Sequence, residues 1–252
     1  SYEIKVEAYD KANNKGTDTE NVKTAGVPTD GSFSEEEGVN TPNIGNNMQL
    51  VEFDDETDTW VPDETKSAYS YKDTSTEGAN TSEWANAKVT IDGIDSYFVW
   101  IPRYAYKIIG ENNIDIKFIK GTGKETVDGT PCKYASENPT ANDYIVHPAF
   151  TDEEENGGWD MQIAGIWIGK YEASLANKTD GTNIVPSSSN ANILLKNNTD
   201  KTIVTKPGYS SWRYIRIGNM YDNAKYYSTD LESHMLKNSE WGAIAYLTES
   251  KY

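Results

Sequence analysis

Residues 96–104, Ser-Tyr-Phe-Val-Trp-Ile-Pro-Arg-Tyr, form the most hydrophobic run in a chain that is otherwise polar. Its aromatic and β-branched residues suit a strand buried on both faces. Pro102 has no N–H to give to a ladder, so it marks the strand's end or an edge. Just upstream, 87–91 and 95–103 flank Asp92-Gly93, a dipeptide suited to a tight hairpin turn. Two further segments can cover such a hairpin. Residues 114–119 alternate, and 163–173 (Ile-Ala-Gly-Ile-Trp-Ile-Gly-Lys-Tyr-Glu-Ala) read as a core strand with small residues for close packing.

Composition decides whether such strands can build a core. Hydrophobic residues make up only 36% of the 252, which alone would suggest disorder, but aromatics make up 12%, with 17 Tyr and 7 Trp. The expectation is a folded part with an aromatic core and polar segments outside it. With 23 Lys and Arg against 40 Asp and Glu, the net charge of −17 repels phosphate backbones and anionic lipid. Nucleic acid is therefore not an expected partner. No stretch of 18 apolar residues occurs, so membrane insertion is not expected either.

Several kinds of chemistry lack their residues. The single cysteine, Cys132, excludes an internal disulfide framework and a Cys-based zinc site within this chain. It follows Pro131 in a polar loop beside only one cation, Lys133, so a reactive thiol is not expected. The two histidines, His147 and His234, form no HExxH pair and read as packing or capping residues. Gly121-Thr122-Gly123-Lys124 has Phe118 where a phosphate loop needs its first glycine, and Glu125 where it needs Ser or Thr. No Gly-x-Ser-x-Gly elbow occurs.

The carboxylates Asp152, Glu153, Glu155 and Asp160 lie in one acidic loop that could gather Ca2+, although their spacing is not that of an EF-hand. No other cofactor is expected. Trp159, beside Gly157-Gly158, and Tyr209 are loop aromatics that could offer a flat apolar face to a protein or glycan ligand.

Three regions are expected. Residues 1–27 alternate over 2–9 and turn through 10–16, as in a terminal hairpin. Residues 28–83 are rich in Gly, Pro, Asn and acids, and read as linker and irregular polar structure, with a short strand at 48–53 and anchoring rings at Trp60, Tyr69 and Tyr71. Residues 84–252 form the main domain, whose last part is helical. One helix is expected after Ser210-Ser211 and a second from Asn238-Ser239, with Trp241, Ile244, Ala245 and Thr248 on one face. Strands followed by helices make the fold class α+β.

Two resemblances sharpen this reading. The stretch Tyr2–Thr24, through its Val6-x-Ala8-x-Asp10-Lys11-Ala12-x-Asn14 run, is similar to the final strands of bacterial immunoglobulin-like surface repeats. Gly165–Ser174, Trp212–Tyr227 and His234–Leu247, in that order, resemble the formylglycine-generating-enzyme-like branch of the C-type lectin fold. The matching motifs are Ile168-Gly169-Lys170-Tyr171-Glu172 and Glu240-Trp241. The resemblance implies that Trp100, Trp167, Tyr171, Glu172, Trp212, Glu240 and Trp241 define the core, with the Trp167 and Trp241 indoles meeting in its middle.

The family's catalytic cysteine pair lies in a later half that this sequence does not match, so no catalytic residue is carried over and an enzyme is not expected. What the resemblance implies is a C-type-lectin-like domain, incomplete at its C-terminus, in a Clostridia-like bacterial surface or prophage protein. Its role would be extracellular, non-enzymatic ligand binding at a cell surface or on a phage virion. The alternatives are a stalk or fibre subunit, with another chain supplying the missing C-terminal strands, and a metal- and cysteine-dependent modifying enzyme.

Overall fold

The computed structural model describes residues 2–9, 15–22, 31–35, 38–63, 69, 71, 83–111, 113–198 and 200–252. The turn expected at 10–16 and most of 64–82 lie largely outside the described residues. In chain order the strands are β1 (Tyr2–Tyr9), β2 (Lys15–Val22), β3 (Phe33–Ser34), β4 (Val39–Asn40), β5 (Met48–Asp54), β6 (Thr59–Pro62), β7 (Asn86–Ile91) and β8 (Ile94–Pro102). They continue as β9 (Tyr104–Gly110), β10 (Asn113–Phe118), β11 (Cys132–Lys133), β12 (Tyr144–Val146), β13 (Gly165–Gly169), β14 (Ser174–Asn177), β15 (Asn183–Ile184) and β16 (Lys201–Val204). Two helices follow, α1 (Ile217–Tyr227) and α2 (Asn238–Thr248). The class is α+β.

The hydrophobic run becomes β8, an inner strand of an antiparallel five-stranded sheet ordered β13-β8-β7-β5-β6. Asp92 and Gly93 both take positive φ, 53° and 76°, which closes the two-residue turn between Ile91 and Ile94. Residues 48–62, within the segment read as linker and irregular structure, give this sheet β5 and β6, with Met48 opposite Val89 and Phe53 opposite Trp60. The strand expected at 48–53 is β5; its place inside the sheet and the outer strand β6 beside it leave no local signal, because an edge strand buries only part of its surface. Tyr69 and Tyr71 are buried in the same core as Trp100.

The chain leaves this sheet at Arg103 and enters a second one, ordered β10-β9-β12-β11. Arg103 is fully buried at that corner. Its guanidinium donates to the carbonyls of Gly123 at 2.9 and 3.1 Å, Ile163 at 3.2 Å and Phe150, and to Oε1 of Gln162 at 2.7 Å. The Gly121–Lys124 loop therefore serves as an anchor for an arginine. The region 177–208, read as loop, contributes β15 and β16 to a three-stranded sheet, β15-β14-β16.

The first helix begins at Ile217, not just after Ser210-Ser211. Ser211 is bridged to Ser174, the Trp212 N–H donates to Ala173 O at 2.7 Å, and Tyr214 has φ of 60°, so the backbone there is extended and then turned. Trp212 is thus no helix residue. Its ring packs on Leu175, Ala191, Leu195 and Ile203, and its Nε1 donates to Ala191 O at 2.9 Å.

The second helix forms where expected but turns a different face inward. Glu240, Ala243 and Leu247 are buried, while Trp241 is 63% exposed. Glu240 accepts the Lys237 N–H at 2.7 Å, a capping-box contact at the first turn. Ala243 is small enough for its carbonyl to accept Tyr104 Oη at 2.7 Å. The indole meeting expected in the core is not found: the aromatic partner of Trp167 is Trp100.

Candidate functional site

A groove of about 1020 Å3 runs between β13 and the C-terminal helices. Its floor is the whole of β13 with Lys170–Ala173, and its far wall carries Ile215, Met220, Leu231, Trp241 and Ile244. The local sequence explains why it stays open. In α1 only Asn223 is buried, and it is spent on Leu195 N–H at 2.8 Å and Ile193 O at 2.9 Å. At its end Tyr227 packs on the cluster around Leu175, but Ile217, Met220, Tyr221 and Tyr226 stay exposed. Met161, Met220 and Leu236 are each more than a third exposed, and Trp241 more so. All four line the groove and leave it apolar.

The Trp167 side of the groove is rigid. Its ring centroid is 5.3 Å from that of Trp100, and its Nε1 donates to Asn43 O at 2.7 Å. Trp100 is fully buried, with Nε1 donating to Asn40 O at 3.0 Å. Asn40 is itself buried and ties three segments together, donating to Gly121 O at 2.9 Å and Ala164 O at 3.0 Å while accepting from Gly121 N at 2.7 Å. No motif pointed to Asn40 or to Arg103, whose roles leave no clear trace in the sequence. Tyr171 packs edge-on against Tyr97 with centroids 6.4 Å apart, and Glu172 is exposed at the groove.

One end of the groove is polar. His234 Nε2 lies 2.9 and 3.1 Å from the two oxygens of Glu240, which is 1% exposed, and its Nδ1 lies 3.0 Å from Glu232 O. The Glu240 hydrogen bond is the main cause that raises the His234 pKa above its usual value, against the opposing effect of burial. Trp159 stands edge-on to the His234 ring at 5.0 Å, and Lys237 Nζ lies 3.9 Å above its indole. Trp159 also donates Nε1 to Ala149 O at 2.8 Å, so it is half-buried and anchored rather than free in a loop.

Of the two loop aromatics singled out, only Trp159 borders the groove. Tyr209 lies elsewhere, its hydroxyl donating to Gly181 O and its ring packing against Ile94, Ala176 and Val204. The proposed calcium ligands are not brought together. Asp152 accepts Gln162 Nε2 at 2.5 Å, and Glu153 turns to Ser136 and Asn156. Among the described residues no three His, Cys, Asp or Glu side chains could hold a metal ion. Asp152, Glu154, Glu155 and Asp160 are exposed around the 3-10 turn at Glu154–Asn156. Cys132 is buried, and burial pushes its thiol pKa up to about 11, against activation. His147 is buried among Tyr104, Tyr106, Phe150 and Tyr246, with Nδ1 capping Ala149 N–H at 3.3 Å.

No family model matches this chain, and no curated protein or solved structure matches it either. Among the described residues no helix is long and apolar enough to cross a membrane.

Proposed function

We propose that this chain is a non-enzymatic ligand-binding module of a bacterial surface or phage protein, built on a C-type-lectin-like scaffold of the formylglycine-generating-enzyme-like branch. What supports the scaffold is the order of elements: β13 with Trp167-Ile168-Gly169 at its end and Lys170-Tyr171-Glu172 directly after it, then the short strands β14–β16, one helix, and a helix with Glu240-Trp241 in its first turn. The observation that carries the function is the apolar groove over β13, with a rigid indole on one side and an exposed one on the other. A scaffold with fixed strands and long connecting segments suits recognition. The ligand is a protein or glycan.

The test is a screen of the immobilised chain against peptide and glycan arrays, repeated with Trp241→Ala. Binding that weakens at least tenfold in the variant supports the module. Binders indifferent to the groove overturn it. A stalk or fibre subunit is the second reading, favoured by β13 having no second neighbour among the described strands. A solution mass several times that of one chain would establish it.

A further inference from the structure

β13 is an edge strand: it pairs with β8 and has no second neighbour among the described strands. The hydrogen bonds around β8 fix which way its main-chain groups point. Trp100 N–H donates to Ala85 O on the β7 side, whereas Lys170 N–H donates to Tyr97 O and Arg103 N–H to Ala164 O. In an antiparallel ladder these directions alternate residue by residue. Positions 164, 166, 168 and 170 are therefore bonded toward β8, and the N–H and C=O of Gly165, Trp167 and Gly169 face the groove side.

An open ladder beside an apolar groove is a template for strand addition. Charge decides what kind of strand. Asp160, Glu172, Asp230 and Glu232 border the groove and are exposed, and none of them is in an ion pair among the described residues. The cations there are engaged. Lys170 donates to Asn86 Oδ1 at 2.7 Å and lies over the Trp60 ring, Lys237 donates to Gly158 O at 2.8 Å, and His234 faces Glu240. A second copy of a chain carrying −17 would bring acid against acid.

We propose that β13 takes up an extended segment of a separate polypeptide, which adds as a strand along Gly165–Gly169, lays alternate apolar side chains into the groove toward Trp241, and carries Lys or Arg to meet the acidic border. This rests on the reading of the chain as a binding module and names the class of its ligand.

The experiment pans a phage-displayed library of random linear twelve-residue peptides against the full chain and follows the winners by amide hydrogen exchange and titration. Enriched peptides are expected to alternate apolar residues and to be rich in Lys and Arg. They should slow exchange at Trp167 and Gly169, lose at least tenfold in affinity to Trp241→Ala, and lose binding when the peptide amides facing β13 are N-methylated. Peptides that need Trp241 but leave exchange at Trp167 and Gly169 unchanged would overturn strand addition and leave the binding module standing. Peptides indifferent to Trp241 would overturn both. Failure to enrich any peptide, enrichment of acidic ones, or dimerisation of the chain alone with protection of the same amides would also overturn the proposal.

Discussion

Trp167 lies against Trp100, ring centroids 5.3 Å apart and planes inclined at 57°, and Gly165 lets this happen. A β-carbon on Gly165 would stand 2.3 Å from Cζ2 of Trp100 and 2.7 Å from Ile101 O. Neither neighbour can yield, because Trp100 is fully buried and Ile101 O belongs to the ladder. Gly165→Ala should therefore destabilise the chain by about 1–3 kcal/mol through overpacking. Urea unfolding followed by tryptophan fluorescence measures it. A change below about 0.5 kcal/mol would mean that the two strands separate more easily than the packing indicates.

Trp100 and Trp241, both expected in the core from the resemblance, should behave oppositely on truncation. Trp100→Ala empties a buried site and should cost about 3–5 kcal/mol. Trp241→Ala removes a ring that is 63% exposed and should change stability by less than about 1 kcal/mol, while lowering binding of an apolar dye to the groove. Parallel denaturation and dye titration check both. A large stability loss at Trp241 would restore it to the core.

Arg103 is buried without a carboxylate within salt-bridge distance among the described residues, and its bonds run to main-chain carbonyls and Gln162. Burial lowers its pKa to about 10, so it stays charged at neutral pH. Arg103→Met would leave the Gly123, Phe150 and Ile163 carbonyls without their donor, at about 1–3 kcal/mol for each one left unsatisfied. We expect a loss of several kcal/mol in denaturant unfolding, with Arg103→Lys recovering only part, since an ammonium cannot reproduce the planar fork.

The histidines should pull stability in opposite directions with pH. Burial lowers the His147 pKa from 6.5 to about 3. The unfolded chain thus binds a proton that the folded chain refuses. Stability is present above pH 6.5 and is lost as pH falls toward 3, with a limiting slope of about 1.4 kcal/mol per pH unit. For His234 the Glu240 contact raises the pKa above 6.5, so its contribution is present below 6.5 and is lost as pH rises through the raised value. Thermal midpoints from pH 3 to 9 should lose acid-side slope in His147→Asn and alkaline-side slope in His234→Gln. Superimposable profiles would refute both assignments.

Cys132 should be silent in the folded chain. Its thiol is buried and its pKa is raised to about 11, so the thiolate fraction at pH 8 is small. A chromogenic disulfide reagent should label it only under denaturing conditions, and rapid labelling of the native chain would show that β11 opens.

How much was legible follows from how each signal arises. The β7–β8 hairpin, β10, β5 and the start of α2 could be read because turn residues, period-2 alternation and an N-terminal acid act within a few residues of one another. The place of β5 and β6 in the sheet, and the roles of Asn40 and Arg103, could not, because their partners lie 60 or more residues away in several cases, as with Trp100 to Asn40. The groove shows the same division. The apolar residues of α1 and α2 are visible in the chain, but the face each helix turns inward is not. That choice was made by Ala243 fitting under Tyr104, a contact that exists only once β9 and the helix have come together. Local order is written in neighbouring residues; which surfaces remain uncovered is a property of the packed whole, because burial depends on every element at once.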